Sequence, residues 1–330
     1  MRLNVGPFLK GLATFIPGFY PYVVSLLRPG RTGGTDCARY CYSVWLRHLV
    51  FAFANRLPTR PQTVAELGPG DSLGTGIAAL LSGAQTYYAF DVVEYATNER
   101  NQRMLEELAD LFLKREPIPG DSEFPELLPR LASYDFPKHV LPNSRLRSAL
   151  AKTRIESIRR ALAKPKSLNE VRVQYCVPWD DPNAIQAHSV DLILSQAAME
   201  HVEDLRPAYF TLARWLKPTG FISETIDFRS HGTANPWNGH WCYSDWEWKV
   251  VQGRRPYLLN REPRSAHLSL LAEAGFQVVG EDPVRCSGGV QRNQLAPRFR
   301  QLSAEDVATA CTFIQATPVP LGLGSTERLG

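Results

Sequence analysis

The six cysteines of this chain include no CxxC pair. Cys37, Cys41, Cys176, Cys242, Cys286 and Cys311 are scattered, so the sequence offers neither a zinc site nor a disulfide framework, and a reducing cytoplasm is the compartment expected. There is no continuous apolar run of membrane-spanning length. Val5 to Leu27 is rich in apolar and aromatic residues, but Lys10, Pro17, Pro21 and three glycines interrupt it. No basic segment leads into an apolar run with a small-residue cleavage site, which excludes a signal peptide. The stretch reads as an N-terminal element packed on the domain, with a peripheral membrane contact, a helix lying in the interface, as the alternative. Positive charge is not in excess: a net +4 arises from nearly balanced acids and bases, so nucleic acid is not an expected partner. Internal repeats, low-complexity tracts and the GxGxxG dinucleotide fingerprint are missing too.

What is present is 330 residues of 44% hydrophobic content, enough to bury a full-sized core in one enlarged domain. Short β-branched or aromatic runs alternate with helical stretches, the pattern of a doubly wound α/β fold with a mostly parallel sheet. Strands are expected at Thr63 to Leu67, Thr86 to Phe90, Val171 to Cys176, Val190 to Leu194, Phe221 to Ile226, Gln277 to Val279 and Ala310 to Ala316. Residues 1–58 form an N-terminal extension and 59–330 the main domain. Two insertions interrupt it: a helical one at about 101–167, with a basic stretch from Arg145 to Lys166, and an aromatic one at 228–264.

The string Glu66-Leu67-Gly68-Pro69-Gly70-Asp71-Ser72 carries a buried strand into a glycine turn and then a helix. Glycine permits the tight backbone and leaves room for a ligand, and the helix N-terminus favours a carboxylate or phosphate. Asp91 ends the second strand, where its carboxylate suits a pair of ribose hydroxyls. A dinucleotide site wants an acid at the same remove, so Asp91 alone leaves both ligands open.

Glu66-Leu67-Gly68-Pro69-Gly70 resembles the acidic-x-Gly-x-Gly signature of class I S-adenosylmethionine-dependent methyltransferases. Asp191-Leu192-Ile193-Leu194-Ser195-Gln196-Ala197-Ala198-Met199-Glu200-His201-Val202 resembles their fourth-strand motif. Leu216-Lys217-Pro218-Thr219-Gly220-Phe221 resembles the turn into the fifth strand, and Leu270 to Phe276 the late helix. The resemblance covers residues 60 to 280 and is similar in layout to methyltransferases of bacterial polysaccharide and secondary-metabolite pathways. It implies a seven-stranded sheet with its last strand antiparallel, and S-adenosyl-L-methionine as cofactor. It places the methionine moiety over Gly68, Gly70 and Asp71, the ribose on Asp91, Ser195 at the fourth strand's end, and Glu66 organising the loop and the cofactor's amino end. The chain departs from the family at Ser72, where many members keep a glycine, and near Cys176, where many place an aspartate. Adenine recognition then falls to the backbone of Cys176 and Val177, with Trp179 stacking.

Methyl transfer to a hydroxyl calls for a base, and histidine is the natural one near neutral pH. His201 follows the fourth strand. His231 lies four residues after Asp227, which could orient its imidazole, or the pair could tie down the insertion. The tryptophans of the second insertion could form a core of their own or a platform for a sugar ring. The segment 33–42 is a lid candidate, with Arg39 or Tyr40 reaching inward; a helix start capped by Thr35 or Asp36 is the alternative. The expected activity is methyl transfer to a small-molecule or glycan acceptor, at a hydroxyl oxygen. A non-catalytic scaffolding protein that keeps the fold is the competing reading.

Overall fold

The computed structural model describes residues 5–16, 34–163, 170–179, 181–255 and 257–319. The apolar residues 17–27, Gly33, Lys164 and Lys166 lie outside them. Seven strands form one sheet in the order β3-β2-β1-β4-β5-β7-β6: β1 (Thr63–Leu67), β2 (Thr86–Phe90), β3 (Arg172–Cys176), β4 (Val190–Gln196), β5 (Leu216–Asp227), β6 (Phe276–Arg285) and β7 (Thr309–Pro318). The first five pair in parallel, and β7 inserts antiparallel between β5 and β6. The expected architecture holds, including the single reversed strand. β1 and β2 keep the bounds read from the sequence, whereas β4, β5, β6 and β7 run longer. β6 continues through Gly280-Glu281-Asp282-Pro283, a string without a strand signal, because an edge strand loses little by lacking the proline N–H.

Helices cover both faces. On one, α2 (Ala38–Ala54), α3 (Gly74–Leu81), α4 (Asn98–Lys114), α5 (Asn143–Ala149) and α6 (Lys152–Ala163) share a core that contains Trp45, Tyr87, Phe112 and Ile158. On the other, α7 (Leu205–Trp215) and α9 (Arg264–Glu273) pack with Phe90, Trp215, Trp241 and Phe299. All eight residues of α3 are buried, as befits a helix closed in by sheet and helices. No helix among the described residues is long and apolar enough to cross a membrane.

The stretch between β2 and β3 is helical at both ends, but its basic residues are not simply a solvated face. Arg145 donates to the carbonyls of Ser82 and Thr59, each at 2.7 Å, and Arg154 to those of Leu80 and Ala84 at 3.2 and 2.5 Å. Except for that of Thr59, which precedes β1, these carbonyls lie at the C-terminal end of α3, where cations are favoured. Arg147, Lys152 and Arg160 remain exposed as expected. Between α4 and α5 runs a long irregular loop that one buried side chain bonds at several points. The buried Arg47 guanidinium of α2 donates to Leu127 O (2.7 Å), Pro129 O (3.0 Å) and Pro119 O (3.1 Å), and bonds Asp121 at 3.2 Å.

Candidate functional site

Strand order reverses between β1 and β4, so their carboxyl ends open a crevice at the point where α/β sheets bind ligands. The turn after β1 forms one wall. Gly68 and Gly70 take φ of +68° and +72°, the left-handed region. Gly68 is needed for a second reason: a Cβ there would lie 2.8 Å from the Ala198 Cβ, in the segment after β4. The turn is closed by its own donors. Gly68 N–H donates to Phe90 O (2.8 Å), Gly70 N–H to Asp91 Oδ2 (3.2 Å) and Leu73 N–H to Asn101 Oδ1 (2.9 Å).

Residues 34–42 run against this turn. Thr35 Oγ1 accepts the Asp71 N–H at 2.8 Å, and the Thr35 carbonyl accepts the Ser72 hydroxyl. Neither Thr35 nor Asp36 caps α2, whose N-cap is Cys37 without a side-chain bond. Tyr40 reaches inward, its hydroxyl within hydrogen-bonding reach of Gln196 at the end of β4. Arg39 does not: it forms a forked pair with Glu123 at 2.7 and 2.6 Å on the outside.

Asp91 is buried, and burial raises its pKa against the pull of backbone donors. Its two oxygens accept Gly70 and Val92 N–H, the latter at 2.8 Å, and each keeps a lone pair for a further donor. That is what a ribose diol requires. Glu66 is buried and turned toward α3: the Tyr87 hydroxyl donates to Oε2 at 2.5 Å, with Thr75 and the Gly76 N–H also in reach. Burial raises its pKa to about 7. Glu66 thereby ties the end of β1 to β2 and to the first turn of α3. The Cys176 carbonyl accepts the Asp91 N–H at 3.2 Å, Val177 follows at the strand's end, and the buried Ser195 hydroxyl has no partner among the described residues. Trp179 lies 5.9 Å from the rings of both Phe90 and Trp215. Its ring packs with that cluster.

The opposite wall holds three candidate catalytic residues, and the fold brings them together. His231 Nε2 lies 3.2 Å from Asp227 Oδ2, and the His231 and His201 ring centroids are 5.4 Å apart. Burial works to raise the pKa of Asp227, but the hydrogen bond and charge of His231, with Arg229 and its backbone N–H, outweigh it and hold the carboxyl below its usual value. The Asp227 bond leaves His231 Nδ1 to accept a proton. His201 Nδ1 lies 3.0 Å from the Tyr257 carbonyl, which only accepts, so Nδ1 carries the hydrogen and Nε2 the lone pair. Burial, then the nearby His231, pushes its pKa down to about 4.

Sequence reasoning missed several neighbours. Asn260 fixes the turn that carries His201, donating from Nδ2 to Met199 O and Val202 O at 2.9 Å each and from its N–H to Glu200 O at 2.8 Å. Glu200 is buried with no side-chain partner among the described residues, so burial, with Asp227 and Glu224 nearby, raises its pKa well above the ordinary value against the pull of nearby backbone N–H groups. Glu224 and His267 flank the Tyr209 hydroxyl at 3.3 and 2.8 Å. Asn260, Glu224, Tyr209 and His267 lie in no recognisable motif, whereas Glu200 stands inside the Asp191 to Val202 stretch, next to His201. Trp241, Tyr243 and Trp248 of the aromatic insertion are core residues, so they offer a sugar ring no platform.

Residues 150–223 match the family described as a methyltransferase domain. Among solved structures, the chain is similar to a SAM-dependent methyltransferase from Methanosarcina mazei (10% identity, 81% of this chain and 96% of that one, TM-score 0.42). It is also similar to one from Mesorhizobium loti (15%, 80% and 95%, TM-score 0.39). A third is the phosphoethanolamine N-methyltransferase 2 of Haemonchus contortus, solved with S-adenosyl-L-methionine (16%, 88% and 59%, TM-score 0.41). No curated protein matches the chain. The family match takes in β3, β4 and the first part of β5, and with them the Asp191 to Val202 stretch beside His201, on the wall opposite the glycine turn and Asp91.

Proposed function

We propose that this chain is a class I S-adenosylmethionine-dependent methyltransferase that methylates a hydroxyl oxygen of a small-molecule or glycan acceptor, with His231 as general base and Asp227 as the group that orients it. The observation that carries this reading is the 3.2 Å Asp227–His231 bond beside His201, at the carboxyl ends of β4 and β5. Bound S-adenosyl-L-methionine supplies an electrophilic methyl group on a sulfonium. Asp91 takes the ribose hydroxyls, Gly68, Gly70 and Asp71 carry the methionine end, Glu66 holds their turn in shape, and Ser195 with the backbone of Cys176 and Val177 completes the pocket. An acceptor hydroxyl loses its proton to His231 Nδ1 as its oxygen attacks. The Asp227 carboxylate stabilises the imidazolium that forms, and general-base help of this kind accounts for about 10²–10⁴-fold in rate. His201, neutral at working pH, offers Nε2 to a second acceptor donor. Residues 1–58 supply the cover and 59–330 the catalytic domain.

The test is methyl transfer from labelled cofactor to a panel of hydroxylated acceptors. His231→Ala and Asp227→Asn are expected to lose at least a hundredfold in turnover while keeping cofactor affinity. Wild-type turnover in both variants would remove the base, and transfer confined to amines would remove the hydroxyl.

A further inference from the structure

The N-terminal helix α1 (Val5–Ala13) is built inside out. The residues it buries are Pro7 and Gly11, whereas Val5, Leu9 and Leu12, at i, i+4 and i+7, share the outer face and are at least half exposed, Leu9 by 60%; Ile16, three residues past the helix, is exposed too. A helix stabilised by an aqueous fold does the reverse. The helix is nonetheless fixed to the domain. A Cβ on Gly11 would fall 1.9 Å from the Val250 carbonyl of α8 (Asp245–Gln252), and Gly253 approaches Gly11 as closely. Thr14 Oγ1 accepts the Arg254 N–H at 2.7 Å, and the Phe8 and Tyr243 rings meet edge-on at 5.4 Å. Trp246, one turn before Val250 on α8, is 72% exposed.

The surroundings of this face are basic. Residues 5–16 contain no acid, Lys10, Lys249 and Arg254 are exposed, and the Arg254 guanidinium lies over the Phe15 ring. Asp245 is answered by Arg261 and Arg298, and Glu247, which keeps its charge while capping α8 with Ser244, is outnumbered by the three cations. A twofold self-association would press these cations against their own copies. Anionic headgroups would neutralise them while the apolar stripe enters the acyl boundary, with the exposed tryptophan at headgroup level. We propose that the outer face of α1, with Trp246, docks the protein on an anionic lipid surface.

Vesicle flotation of the full chain tests this, on phosphatidylcholine with and without phosphatidylglycerol. The wild type is expected to float with the anionic vesicles and poorly with the neutral ones. Leu9→Ser and Leu12→Ser should each lower partitioning about tenfold, and Lys10→Glu should lower it on anionic vesicles alone. The thermal transition and S-adenosylhomocysteine binding should stay unchanged, since these side chains face solvent. The proposal is overturned if the wild type stays with the unbound fraction, or if the Leu9→Ser/Leu12→Ser variant floats like wild type. It is equally overturned if light scattering finds a dimer that this variant converts to monomer.

Discussion

His231 sits at φ +44°, a left-handed conformation rare for a residue with a side chain, and Gly232 follows at +73°. Such backbones persist only where neighbouring contacts over-determine them, and here the contact is the bond to Asp227. The bond also sets the charge of the pair. In His231→Ala, burial is left opposed only by Arg229 and the backbone, so the Asp227 pKa is expected to rise, read by carboxyl carbon shifts in a pH titration. On the other wall, Asp91→Ala should weaken S-adenosylmethionine binding about tenfold to a hundredfold in calorimetry, from the loss of one or two hydrogen bonds to a charged acceptor. Gly68 and Asp91 were legible in the sequence because each sits at the end of a strand whose register follows from its own pattern. Asn260, Glu224, Tyr209 and His267 were not, because their meaning comes from contacts across long separations that no local spacing encodes.

At the scale of elements, the central strands were readable because burial on both faces leaves near-continuous apolar runs. The edge strand β6 was legible only in its first few residues, since it carries a glycine and a proline that a central strand would reject. The arginines of α5 and α6 looked like a charged surface. Only the folded chain shows that Arg145 and Arg154 close the end of α3. Helix α3 also touches the sheet through a glycine: a Cβ on Gly76 would fall 1.9 Å from the Tyr87 ring. Gly76→Ala is therefore expected to destabilise the fold by about 2–3 kcal/mol in denaturant unfolding. It should weaken cofactor binding as well, because the displaced Tyr87 is the donor to Glu66.

Over the whole molecule, buried titratable groups of both kinds set the pH dependence of stability. His48 and His201 are pushed down to about 4, and His240 and His267 to about 3, each by burial first. The unfolded histidines bind protons from about pH 6.5 while the folded ones do not, so stability falls as pH drops below that value. Glu66 and Glu224 are raised by burial to about 7 and 8, and Glu200 well above its ordinary value. The folded acids keep protons that the unfolded chain has already released, so stability falls as pH rises from 4.5 through 8. The two slopes oppose each other between 4.5 and 6.5, and only the acids act above it. The melting temperature is expected to peak near pH 6 and decline toward pH 8.5, and Glu224→Gln should flatten that decline.

The Arg47 guanidinium has a consequence for the order in which the chain assembles. It reaches carbonyls 72 to 82 residues further along the chain, so these bonds cannot form until the loop has folded back onto α2. Closing that separation carries an entropy cost before any of the bonds form. The loop should accordingly be among the last segments to gain amide protection during refolding. Arg47→Met would leave the sheet to form at its normal rate while that last step is lost.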